Sequence, residues 1–130
     1  MATRKERLKK LVSVQEQLKA LHEMRRAGFL AEAASAESEA AELRRRFDAE
    51  DSLSALFPEI YHKRIDQAVM RAASNLNLAQ EEAARVAAAS ARTKMVERAY
   101  REVSRQDERS RTDRERLEMI ARGRPNPQSK

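Results

Sequence analysis

Asp48-Ala49-Glu50-Asp51-Ser52-Leu53-Ser54-Ala55-Leu56-Phe57-Pro58 is the one stretch of this chain that reads as a turn. Asp51, Ser52 and Ser54 are residue types that cap helix ends. Pro58 is tolerated in a first helical turn, where its missing amide loses no hydrogen bond. On either side helix breakers are almost absent: between Thr3 and Arg122 the only other glycine or proline is Gly28. Glycine and proline are the residues that interrupt helices. The chain therefore reads as all-α, a long antiparallel two-helix coiled coil (an α-hairpin). Its parts are a helix over 4–50, a turn over 51–57 and a helix over 58–122, with the C-terminal helix overhanging. Residues 123–130, which hold Gly123, Pro125 and Pro127, read as a stop followed by a disordered tail. One unbroken helix kinked at Pro58 is the alternative.

Composition agrees. Charged residues make up 37% and aromatics 4%, without a tryptophan. A compact globular core needs more bulk than Phe29, Phe47, Phe57, Tyr61 and Tyr100 supply, and this mix fits long helices better. The absence of cysteine excludes disulfides and thiolate metal sites. The basic start Met1–Lys10 precedes Leu11-Val12-Ser13-Val14-Gln15-Glu16, a run too short and too polar for a signal-peptide core. No segment approaches the ~20 apolar residues that span a bilayer. The expectation is a soluble, cytoplasmic protein.

Thr3-Arg4-Lys5-Glu6 fits a capping box, in which the threonine hydroxyl and the glutamate each serve a first-turn amide. The apolar residues Leu11, Val14, Leu18 and Leu21 follow at heptad spacing and read as the seam of helix 1. That seam loses phase around Met24–Gly28 and resumes as Phe29, Ala33, Ala36, Ala40, Leu43 and Phe47, which implies a stutter. The seam of helix 2 reads Ile65, Ala68, Ala72, Leu76, Ala79, Ala83, Val86, Ala89, Thr93, Val96, Tyr100 and Val103. It turns polar at Asp107, Ser110 and Arg114. Folded near Ser54, residue i lies opposite approximately residue 109 − i, and helix 2 has no partner beyond about Gln106. An alanine buries one methyl where a leucine buries four carbons, at roughly 0.8 kcal/mol per CH₂. The seam therefore predicts a marginally stable free protein.

Chemistry is sparse. His22 and His62 are too few and too far apart for a metal site. Glu81 and Glu82 are helix neighbours that point apart, unlike a working acid/base pair. No phosphate loop or nucleophile motif occurs. The sequence indicates a protein that is not an enzyme and uses no cofactor.

Charge is uneven. The net charge is +6, and both ends are basic about a mildly acidic middle. Arg105, Arg109, Arg111, Arg114, Arg116, Arg122 and Arg124 could contact nucleic-acid phosphates. Seven acidic residues are interleaved across 92–124, and no aromatic beyond Tyr100 is present for base stacking, which argues against that use. A hairpin instead brings the basic ends together. Arg4, Lys5, Arg7, Lys9 and Lys10, with Arg101, Arg105, Arg109, Arg111 and Arg116, would form a basic surface suited to an acidic-lined partner. The plain alternative is a solvated helix face. At the turn, Leu53, Leu56, Phe57, Ile60 and Tyr61 form either a cap that closes the hairpin or an apolar patch for a second partner.

Three regions carry a family resemblance: Leu8–Leu21, the turn at 51–58, and the Arg/Glu-rich stretch Arg98–Arg122. The last includes Arg114-Glu115-Arg116-Leu117-Glu118-Met119-Ile120-Ala121-Arg122. With them the chain resembles the flagellar export protein FliJ family and the YscO-like stalks of injectisome type III secretion. The resemblance implies a central stalk inserted in a hexameric export-ATPase ring, whose other region meets the cytoplasmic domain of the membrane export gate. It also implies a cytoplasmic location, peripheral to the inner-membrane export apparatus through protein partners alone. On that reading the basic end faces the ATPase, and the tip (Leu53, Leu56, Phe57, Ile60, Tyr61) faces the gate. A coiled-coil adaptor or export chaperone is the other reading of the same features, and a basic helical nucleic-acid binder the third.

Overall fold

The computed structural model describes residues 2–123. It holds two long helices, α1 (Arg4–Asp48) and α2 (Pro58–Gly123), joined by a connection that contains a 3₁₀ turn at Leu53–Ala55. The fold is all-α, with the two helices packed against each other as a helical hairpin. The alternative of one unbroken helix is excluded, because the chain leaves helical structure after Asp48 and Pro58 opens a new helix. Of the expected tail 123–130, Gly123 is instead the last residue of α2, since a glycine in open space can end a helix as well as follow it, and 124–130 lie outside the described residues.

Each helix end has a local cause. The Glu6 amide donates to Thr3 Oγ1 at 3.2 Å, and the Thr3 amide donates to Glu6 Oε2 at 3.3 Å, which completes the capping box. At the other end of α1 the Ser54 hydroxyl donates to the Phe47 carbonyl at 2.7 Å, satisfying one of the orphan acceptors of a helix C-terminus. Ser52 Oγ accepts from the Ser54 amide at 3.3 Å and caps the 3₁₀ turn. Pro58 is the first residue of α2, where it has no amide to leave unpaired, and Glu59 adds a favourable negative charge in the first turn.

Among the described residues the chain packs as two units, one over 16–90 and one combining 2–15 with 91–123. In the 16–90 unit the hairpin is held by alanines. Ala33, Ala36, Ala40 and Leu43 of α1 are buried, as are Ala68, Ala72, Ala79 and Ala89 of α2. Next to the turn Phe47 meets Tyr61 edge-on, ring centroids 5.9 Å apart, and His62 at 5.0 Å. In the other unit Lys5, Leu8, Val12 and Gln15 are covered, and on α2 Thr93 is buried while Val96, Tyr100 and Val103 are half-buried. Every described residue of α2 from Arg105 to Gly123 is exposed, so this end of the helix is a bare arm.

The seam of α1 requires a correction. Leu11, Val14, Leu18 and Leu21, expected inside, are 38–48% exposed. The covered positions are Lys5, Leu8, Val12 and Gln15 in one unit and Lys19, His22, Phe29, Ala33, Ala36, Ala40, Leu43 and Phe47 in the other. These follow the three-and-four alternation apart from one step of seven, His22 to Phe29, since Arg26 between them is exposed. The phase is the same on either side and α1 passes through Gly28 without interruption, so there is no stutter. In α2 the same alternation places Asn75 and Glu82 inward, while Leu76 is 40% exposed. The phase follows the heptad counted back from the turn, and apolar identity yields to it.

Candidate partner-binding surfaces

The turn end carries a groove of about 200 Å³, lined by Leu43, Leu53, Phe57, Ile60 and Tyr61 together with Arg46 and Arg64. Of the five tip residues, Leu53, Leu56, Phe57 and Ile60 are about half exposed or more, with Leu56 at 70%. Tyr61 is half-buried against Phe47. Tyr61 thus helps close the hairpin, and the other four leave apolar surface in solvent. The corner itself is fixed by the two serines, Ser54 bonding Ser52 and the Phe47 carbonyl.

The basic residues are only partly gathered. Lys9 and Arg101 line one shallow groove with Val12, Glu97 and Tyr100. Arg105, Arg109 and Arg116 share a face of the bare arm, interleaved with Glu108 and Asp113. Arg101 pairs with Glu97 at 3.9 Å and Arg105 with Glu102 at 3.5 Å, both exposed pairs worth little. Arg4, Arg7, Lys10 and Arg111 are exposed along their helices, and Lys5 is half-buried at an inward heptad position. The arm is thus a mixed-charge face with an excess of arginine.

One cluster was not legible as such. Glu82, read above only as half of a pair of helix neighbours, is buried. Its carboxylate accepts from His22 Nδ1 at 2.7 Å and from Arg85 Nη1 at 2.7 Å. Burial pushes the carboxyl up, but the bonds from His22 and Arg85 and their charges outweigh it and hold Glu82 below its ordinary 4.5. Stepping the heptad back from Tyr61 by fours and threes lands on Glu82, which is the signal that finds it. His22 is therefore a structural partner. His62 sits beside Phe47, as the register expected. Among the described residues no group of three or more His, Cys, Asp or Glu stands together to hold a metal ion. No described helix is long and apolar enough to cross a membrane. Compared with known proteins, the chain matches no family model, no curated protein and no solved structure.

Proposed function

We propose that this chain is a non-enzymatic coupling stalk of a bacterial type III export apparatus, flagellar or injectisome, linking the export ATPase ring to the membrane export gate. The observation that carries the reading is the bare arm. α2 continues as a helix to Gly123 although no described residue covers it beyond Ser104. A helix with every residue in solvent gains little from burial and rests on local helix propensity alone. Such an arm suits insertion into a partner. An acidic-lined ring cavity would match the arginine excess of Arg105, Arg109, Arg111 and Arg116, with Arg4, Lys5, Arg7, Lys9, Lys10 and Arg101 alongside. The exposed tip, Leu53, Leu56, Phe57 and Ile60, would meet the cytoplasmic domain of the gate.

The test is direct. Reversing Arg105, Arg109 and Arg116 to Glu should weaken binding to the export ATPase and its stimulation, with helicity by circular dichroism unchanged. Unchanged binding would reduce the arm to a solvated face. A second reading, a coiled-coil adaptor or export chaperone, is favoured by the outward Leu18 and Leu21 of the 16–90 unit, since exposed apolar residues three apart on a helix suit a partner helix. An adaptor would bind its cargo without changing ATPase turnover, whereas a stalk would raise it.

A further inference from the structure

Within the 16–90 unit one flank of the hairpin is open. A groove of about 250 Å³ runs there between the helices, lined by Glu37, Ala40 and Arg44 of α1 and by Val69, Ala72 and Leu76 of α2. Its floor, Ala40 and Ala72, is buried, and its apolar rim, Val69 and Leu76, is 43% and 40% exposed. Small floor residues let another helix backbone approach closely, and the rim supplies apolar side chains for its flanks. Glu37 and Arg44 are one heptad apart and so stand on the same face. Neither is in an ion pair with any described residue, whereas their neighbours Glu39, Glu42, Arg45 and Arg46 all are. Glu39 lies about 200° around α1 from Glu37 and bridges to Arg71, so that flank of the hairpin is closed by an interhelical pair.

We propose that a second copy of this chain packs in this groove, related by a twofold axis near Ala40, with the two α1 helices antiparallel. That arrangement sets Glu37 of each copy against Arg44 of the other, two ion pairs from one operation. A parallel arrangement sets like against like and is disfavoured. The surface is self-complementary in charge about the same point at which it is smallest in side chain. The inference does not depend on the export reading.

Sedimentation equilibrium of the whole chain, from about 5 µM to about 500 µM, tests it. The wild type should show a reversible monomer–dimer equilibrium. Glu37→Arg and Leu76→Lys should each weaken dimerisation by about tenfold or more, as a lost ion pair or a charge buried in the rim requires, with helicity unchanged. The double variant Glu37→Arg/Arg44→Glu should recover affinity to within about threefold of wild type, because the swap restores both pairs. A wild type that stays monomeric throughout overturns the proposal. A dimer indifferent to Leu76→Lys, or a double swap no better than Glu37→Arg alone, overturns it as well.

Discussion

His22 Nδ1 stands 2.7 Å from Glu82 Oε2, far along the hairpin from the turn. The carboxylate is buried, and its other oxygen accepts from Arg85. A buried charge is costly unless paired and hydrogen-bonded. Because Arg85 lies on the same helix as Glu82, His22 is the partner that ties the charge to α1. The pair is therefore an adhesive contact in a seam otherwise made mostly of methyl groups.

Glu82 makes stability depend on pH in a defined direction. Its folded value lies below the ordinary 4.5, so its contribution is present above about pH 4.5 and is lost as pH falls through the folded value. Thermal melts of wild type and Glu82→Gln from about pH 7 to about pH 3 should show the wild type ahead at the upper end and the gap narrowing below about pH 4.5. A gap that stays constant across the series would mean that the charge is not what stabilises.

Gly28→Ala should stabilise the protein. Gly28 lies within α1, and a Cβ added there meets nothing within 4 Å. Mid-helix glycine costs about 0.8–1.0 kcal/mol relative to alanine, so urea denaturation should shift by about that amount. A destabilised variant would show that α1 needs a flexible point there.

Leu43→Ala should be among the costliest single truncations. Leu43 is the largest buried side chain in a core otherwise built of alanines, which are too small to collapse into the space it leaves. A loss of about 2–4 kcal/mol is expected by chemical denaturation. A loss below about 1 kcal/mol would indicate that the groove beneath the tip relaxes freely.

Phe57 and Tyr61 should behave differently although both belong to the apolar tip. Phe57 is 49% exposed, so Phe57→Ser should change stability by no more than about 0.5 kcal/mol. Tyr61→Ser removes the edge-to-face contact with Phe47, worth about 0.5–1.5 kcal/mol beyond its buried area, and should destabilise. If the tip meets the export gate, Phe57→Ser should lower affinity for the gate's cytoplasmic domain at constant helicity. Equal stability losses in the two variants would make the tip a structural cap.

Much of the fold was legible because its determinants are local. The capping box at Thr3–Glu6, the scarcity of glycine and proline, and the serine-rich turn before Pro58 act over a few residues each. They place the helices at Arg4–Asp48 and Pro58–Gly123 against the expected 4–50 and 58–122. The arm was legible by arithmetic, since a turn that early leaves α2 the longer helix. That apolar residues cluster at the turn was legible, but their split into a half-buried Tyr61 and four outward neighbours was not.

By itself the sequence determined that there are two helices, where they reverse and which one runs on, because helix formation and termination are decided by neighbouring residues. Only the tertiary structure decided which face of each helix turns inward. That choice is collective: once the turn fixes the first layer at Phe47 and Tyr61, the later layers follow by threes and fours with little regard to the side chain they meet, the exposed Arg26 excepted. So Glu82 is carried into the interior and made secure there by His22 and Arg85, while Leu11, Val14, Leu18 and Leu21 are carried out.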